Sequence, residues 1–120
     1  MNTNQNDSSV LRIVSANAQN LAGLVDYSTD SIVSKTILDK PAGTITLFAF
    51  DKGQRLSEHT APYDAVVQIV DGQALLMIAG QRKQVLAGQI IVMPADIPHA
   101  VIAEQRFKML LTMIRTPNRE

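Results

Sequence analysis

From Ser31 to Ile114 the chain is cut by a glycine or proline at nearly regular intervals, at Pro41, Gly43, Gly53, Pro62, Gly72, Gly80, Gly88, Pro94 and Pro98. Between these breaks lie short runs rich in β-branched and apolar residues: SIVSKTIL, GTITLFAFD, RLSEHT, AVVQIV, QALLMIA, KQVLA, QIIVMP, HAVIA and RFKMLLTMI. Short runs closed by turn residues at roughly 8–12-residue spacing are the signature of an all-β sandwich or barrel. Proline cannot donate to a ladder and glycine weakens one, so both sit where a curved sheet bends. Asp71-Gly72 and Gly80-Gln81 read as tight hairpin turns.

Alternation assigns faces. In GTITLFAFD, Thr44, Thr46, Phe48 and Phe50 share one face, and Ile45, Leu47 and Ala49 the other. AVVQIV, QALLMIA and FKMLLTMI are apolar on both faces. A sandwich buries only one face of each sheet, so the second needs a cover, either another subunit in a homodimer or the N-terminal segment and loops. Residues 1–9 are Asn, Ser and Thr rich and read as a disordered tail. Residues 10–29 read as a segment packed on the barrel, with Ser15 capping a short helical turn through Leu21 and with Leu21, Leu24 and Val25 as its apolar edge. The barrel itself spans 30–116, and 117–120 reads as a frayed tail.

Composition excludes several function classes. Eleven basic residues balance eleven acidic ones and the pI is near 6.7, which argues against nucleic acid. No basic amphipathic stretch suits a membrane surface, and no apolar run approaches the roughly 20 residues of a spanning helix. Without cysteine there is no disulfide, thiolate metal site or thiol nucleophile. The polar N-terminus lacks the charged start and apolar run of a signal peptide, so the expected location is cytoplasmic. Gly-rich phosphate loops and nucleophile elbows are absent. What remains is a pair of histidines, His59 and His99, the only two in the chain.

Their surroundings resemble a known pattern. Gly53 is followed after five residues by His59, Thr60 and Ala61, then Ala65, then Gly72. Gly88 is followed after five residues by Pro94, Ala95 and Asp96, then His99, then Ala103. This spacing resembles the two motifs of the cupins, and over about residues 30 to 115 the chain looks like a small single-domain cupin of the cupin-2 type. The implied fold is an RmlC-like jelly roll, a double-stranded β-helix barrel with a short N-terminal helical turn. EHTAPYDAVVQIVDG, MPADIPHA and RFKMLLTMI are similar to a subgroup of small bacterial cupins with no assigned reaction. The residues depart from the family's usual ligand set. Ala61 stands for the second histidine, Ala65 for the glutamate, Asp96 for the second-motif glycine and Ala103 for its asparagine, so His59 and His99 alone remain of the four metal ligands.

The resemblance therefore implies two kinds of site. One is a mostly apolar small-molecule pocket lined by His59, Ala61, Tyr63, Ala65, Val67, His99, Val101 and Ala103, in a ligand sensor or a storage or stress module. The other is a divalent metal site (Fe, Ni, Mn or Zn) on His59 and His99, in an oxygenase or isomerase. A catalytic zinc takes three protein ligands, and non-haem iron two His and one carboxylate. A further donor would have to be Glu58, Asp64 or Asp96, none of them at good ligand spacing. Acid–base work by the two imidazoles without metal is a third use. Met109 and Met113 read as core filling.

Overall fold

The structure is a computed structural model and describes residues 9–115. The expected tail at 117–120, and all but Ser9 of the one at 1–9, lie outside the described residues. A six-residue helix α1 (Ser9–Val14) and a 3-10 turn (Leu21–Leu24) precede eight strands. These are β1 (Ile32–Lys40), β2 (Gly43–Phe50), β3 (Arg55–His59), β4 (Asp64–Ile78), β5 (Gln81–Leu86), β6 (Ile90–Met93), β7 (His99–Ile102) and β8 (Phe107–Ile114).

All pairings are antiparallel. The first half of β4 joins a sheet ordered β1-β2-β8-β4-β6. Its second half joins another, ordered β5-β4-β7-β3. The two sheets curl face to face as a jelly roll with β4 running through both.

Two expectations are overturned. The Asp71-Gly72 pair is not a hairpin turn, since β4 runs straight through it. A bulge between Ile69 and Asp71 bends the strand there, and Gly72 takes φ +72°. A β-carbon on Gly72 would lie 2.1 Å from the Arg106 carbonyl oxygen, so only glycine fits. The residues that usually reverse a strand here carry it from one sheet into the other. Near the N-terminus, Ser15 does not start a helix. α1 ends before it, and the turn at Leu21–Leu24 follows Asn20.

The facial alternation of β2 is observed. Phe50 joins the inner cluster with Val67, Ile69, Leu76, Val101, Phe107 and Met109, while Leu47 and Ala49 belong to an outer cluster with Val25. Leu21, Leu24 and Tyr27 pack on that outer cluster, so the N-terminal segment covers this part of the second apolar face. Polar contacts hold it in place. Lys108 Nζ donates to the Ala22 carbonyl at 2.7 Å, and the Tyr27 hydroxyl donates to Asp71 at 2.5 Å. The Arg106 guanidinium and Lys108 ammonium each stand 5.0 Å from the Tyr27 ring centroid. Burial, and then the bond to Asp71, push the Tyr27 phenol above its ordinary range. Asp51 accepts from Arg106 Nε at 2.8 Å and from the Asp30 amide at 2.7 Å, and the bond to Arg106 leads in holding its carboxyl below its ordinary value.

Candidate functional site at the open end of the barrel

The inner face is not evenly sealed. At one end Phe50 and Phe107 stack with centroids 4.6 Å apart, both fully buried. Toward the other end of the same sheet the inner rows are Thr46–Leu111–Val67–Ile91 and Thr44–Met113–Ala65–Met93. In these rows Thr46, Leu111, Ile91, Thr44 and Met113 stay partly exposed although they point inward. Inward-facing residues that still meet solvent mark an open end. The connections from His59 to Asp64 and from Met93 to His99 cross between the sheets at this end. On the facing sheet the end row is His59–His99–Ile78.

The two histidines, forty positions apart in sequence, are thus cross-strand partners. Their Nε2 atoms are 3.2 Å apart and their rings meet edge-on at 70°. His59 Nδ1 lies 2.8 Å from the Ser57 carbonyl and His99 Nδ1 3.1 Å from that of Ile97, each two residues back on its own chain segment. A carbonyl only accepts, so these contacts assign a proton to each Nδ1. Both Nε2 atoms then turn lone pairs toward each other. Two acceptors at 3.2 Å repel unless a proton or a cation lies between them. His99 is buried and His59 exposed. Burial pulls the His99 pKa below its ordinary value, the Ile97 carbonyl opposes this, and the charge of His59 adds to the lowering.

The other residues singled out in the sequence are distributed along the barrel. Ala65 ends the wall facing the histidines, with Val67 one row deeper, both in the inner cluster. Ala61 and Tyr63 sit half-buried in the connection at the rim, where the Ala61 carbonyl accepts from the Asp96 amide at 2.8 Å. Val101 is buried below His99. Ala103 lies at the closed end, its amide donating to the Gln54 carbonyl and its carbonyl accepting from Gly53. Of the carboxylates, Asp64 accepts from the Ala95 amide at 2.9 Å, pinning the loop before β7. Asp96 occupies a left-handed conformation at φ +64°, which Asp tolerates better than most residues. Glu58 is exposed on β3. No group of three or more His, Cys, Asp or Glu suited to a metal forms among the described residues.

The sequence reading missed Thr44. Its hydroxyl is buried and has no hydrogen-bond partner among the described residues. A threonine at an alternating inward position carries no sequence signal that sets it apart.

No helix among the described residues is long and apolar enough to cross a membrane. No curated protein matches the chain. Among solved structures, a conserved protein of unknown function from Streptococcus pyogenes is 39% identical, with a TM-score of 0.81 over 84% of this chain and 89% of that one. A cupin 2 conserved barrel domain protein from Leptotrichia buccalis is 43% identical, with a TM-score of 0.79 over 81% of this chain, which spans only 47% of that one. A cupin superfamily protein from Desulfitobacterium hafniense is 26% identical, with a TM-score of 0.77 over 80% of this chain and 88% of that one. Residues 46–114 match the family model of the cupin domain. With two sheets sharing a through-running strand, paired histidines at one open end and this match over more than half its length, the chain belongs to the cupin family.

Proposed function

We propose that the open end of the barrel is a small-molecule-binding site whose polar anchor is the His59–His99 pair. The observation that carries this is the 3.2 Å approach of two Nε2 atoms whose Nδ1 atoms are both committed to carbonyls. Such a pair is fixed in orientation and short of a partner. An acidic or anionic ligand group supplies that partner, either through a proton shared with the imidazoles or through a cation held by them. Ala65, Met93 and Met113 give the facing wall an apolar surface, as small-molecule sites commonly have.

A divalent metal is the second reading, and one distance favours it. Two nitrogens 3.2 Å apart, each ~2.0–2.1 Å from one ion, subtend about 100° there, which suits neighbouring positions in tetrahedral or octahedral coordination. The Nδ1–carbonyl contacts are also those that orient metal-bound imidazoles. His59 and His99 would hold the ion, with water or a ligand carboxylate completing the shell, and it would supply Lewis acidity toward that ligand. The test is metal content of untagged protein beside the His59→Ala/His99→Ala double variant, with thermal shifts against small carboxylates. Near-stoichiometric metal lost in the variant supports the metal reading. Metal-free protein stabilised by a carboxylate, with the shift lost in the variant, supports the first. Neither response removes both.

A homodimer remains part of this proposal. Ile90 and Val92 on edge strand β6 and Ile114 on β8 are 62%, 48% and 55% exposed, and an apolar surface of this kind favours a partner. Sedimentation of the wild type against Ile90→Lys/Val92→Lys tests it, with a dimer in the first and a monomer in the second.

A further inference from the structure

We infer that β6 is the docking edge of the homodimer, pairing antiparallel with β6 of a second copy about a two-fold axis through Ile91, so that the two β6-bearing sheets join into one. The inference rests on the homodimer reading above and deepens it by fixing which surface meets which.

Four strands end the two sheets, β1 and β6 in one and β3 and β5 in the other. An edge strand presents unpaired N–H and C=O groups to any other chain, and charges, bulges or a cover commonly blunt it. Three of these edges are blunted. On β1, Lys35 and Lys40 are exposed, a bulge falls between Thr36 and Leu38, and α1 packs along the strand. On β3, Arg55 and Glu58 are exposed and the pairing is irregular between Leu56 and His59. On β5, Arg82 and Lys83 are exposed side by side. β6 reads IIVM, carries no charge, runs in unbroken register with β4, and pairs with β4 alone among the described residues. Its free side borders an open groove of about 440 Å³ lined by Val85, Gly88, Ile90 and Ile91, so another strand can reach it.

The backbone directions fix the pairing. The Gln89 carbonyl accepts from the Ile69 amide, so Gln89 turns its polar groups toward β4. Alternation then turns those of Ile91 and Met93 toward β4 and those of Ile90 and Val92 away from it. The two residues with free backbone groups are also the two with exposed side chains. An axis through Ile91 sets Ile90 against the partner's Val92, and Val92 against the partner's Ile90, each pair exchanging both main-chain bonds. The four exposed side chains then lie together on the outer face. Ile91 meets the partner's Ile91 on the inner face and closes the groove. Pro94 has no N–H to give and ends the pairing.

A second copy suits this edge for two reasons. The chain carries no net charge, so copies do not repel at long range. A two-fold contact also uses the unblunted edge of each copy and leaves only blunted ones outside, which closes the assembly at two.

The test combines sedimentation across a concentration series with residue-resolved amide exchange, on the whole chain. Val92→Pro removes an outward N–H and spares the ladder to β4, and it should weaken dimerisation about tenfold or more, since each dimer loses the bond twice. Ile114→Lys lies on β8 away from the edge and should leave the dimer intact. The Ile90 and Val92 amides should exchange slowly at high concentration and fast on dilution, while those of Ile91 and Met93 stay protected throughout. A dimer lost in Ile114→Lys but kept in Val92→Pro, or a dimer whose Ile90 and Val92 amides exchange fast, overturns the edge pairing and leaves the homodimer standing. A wild type monomeric at every concentration overturns both. The exchange pattern decides alone if Val92→Pro does not fold.

Discussion

The two ends of the barrel are made from the same strands and solve opposite problems. At the closed end Phe50 and Phe107 stack, Met109 and Ile69 fill the space beneath, and Asp51 and Arg106 tie the loops outside. At the open end the same strands carry Thr44, Met113 and Ala65 opposite two histidines, and inward side chains remain partly exposed. One end gathers apolar burial. The other leaves the Thr44 hydroxyl without a partner among the described residues and sets two imidazole Nε2 atoms face to face, which costs stability. The difference also separates what mutations at each end should do.

The largest expected contrast lies in the core. Phe107→Ala should cost about 3–5 kcal/mol in urea unfolding, while half-buried Met113→Ala at the open end should cost well under half that. Comparable losses would mean that the open end is packed as tightly as the closed one. Next comes the strand crossing. Gly72→Ala forces a side chain into a left-handed conformation and against the Arg106 carbonyl, and a loss of about 2 kcal/mol or more is expected. A neutral result there would show that β4 can bend without glycine.

Smaller effects come from the charged tie and the histidines. Asp51 has a folded-state pKa held below its ordinary 3.8, mainly by Arg106, so its contribution is present above that ordinary value. The contribution is lost as pH falls through the lower folded value. Stability of the wild type should therefore fall more steeply on acidification below the ordinary value than that of Asp51→Asn, and parallel curves would remove the tie from the account. At the open end, His99→Ala should cost about 1 kcal/mol, the size of one buried hydrogen bond, and exposed His59→Ala within about 0.5 kcal/mol. If either histidine instead proved as costly as Phe107, the pair would be a structural element and the comparison between ends would fail.

The fold was legible because its signals are local. Turn residues at regular spacing and period-two alternation put Leu47 and Ala49 on one face and Phe48 and Phe50 on the other, as found. Asp71-Gly72 misled for a physical reason. A glycine at positive φ serves a hairpin or a bulge equally well, and the choice depends on whether β6 and β8 are there to hold the first half of β4 while β5 and β7 hold the second. Ser15 misled in the same way, since capping potential does not say which neighbouring turn has an apolar surface to pack on. The strap settled where Leu21, Leu24 and Val25 meet Leu47 and Leu110.

By itself, then, the sequence determined the all-β architecture, the two alternating faces of β2 and the two histidines as the polar residues to watch, because these depend on backbone geometry and on solvent. The tertiary structure decided the rest. It made His59 and His99 partners, left the Thr44 hydroxyl without one among the described residues, and spent Asp64 on the Ala95 amide. Distances between residues far apart in the chain are fixed by strand pairing and sheet closure, and no local pattern encodes them.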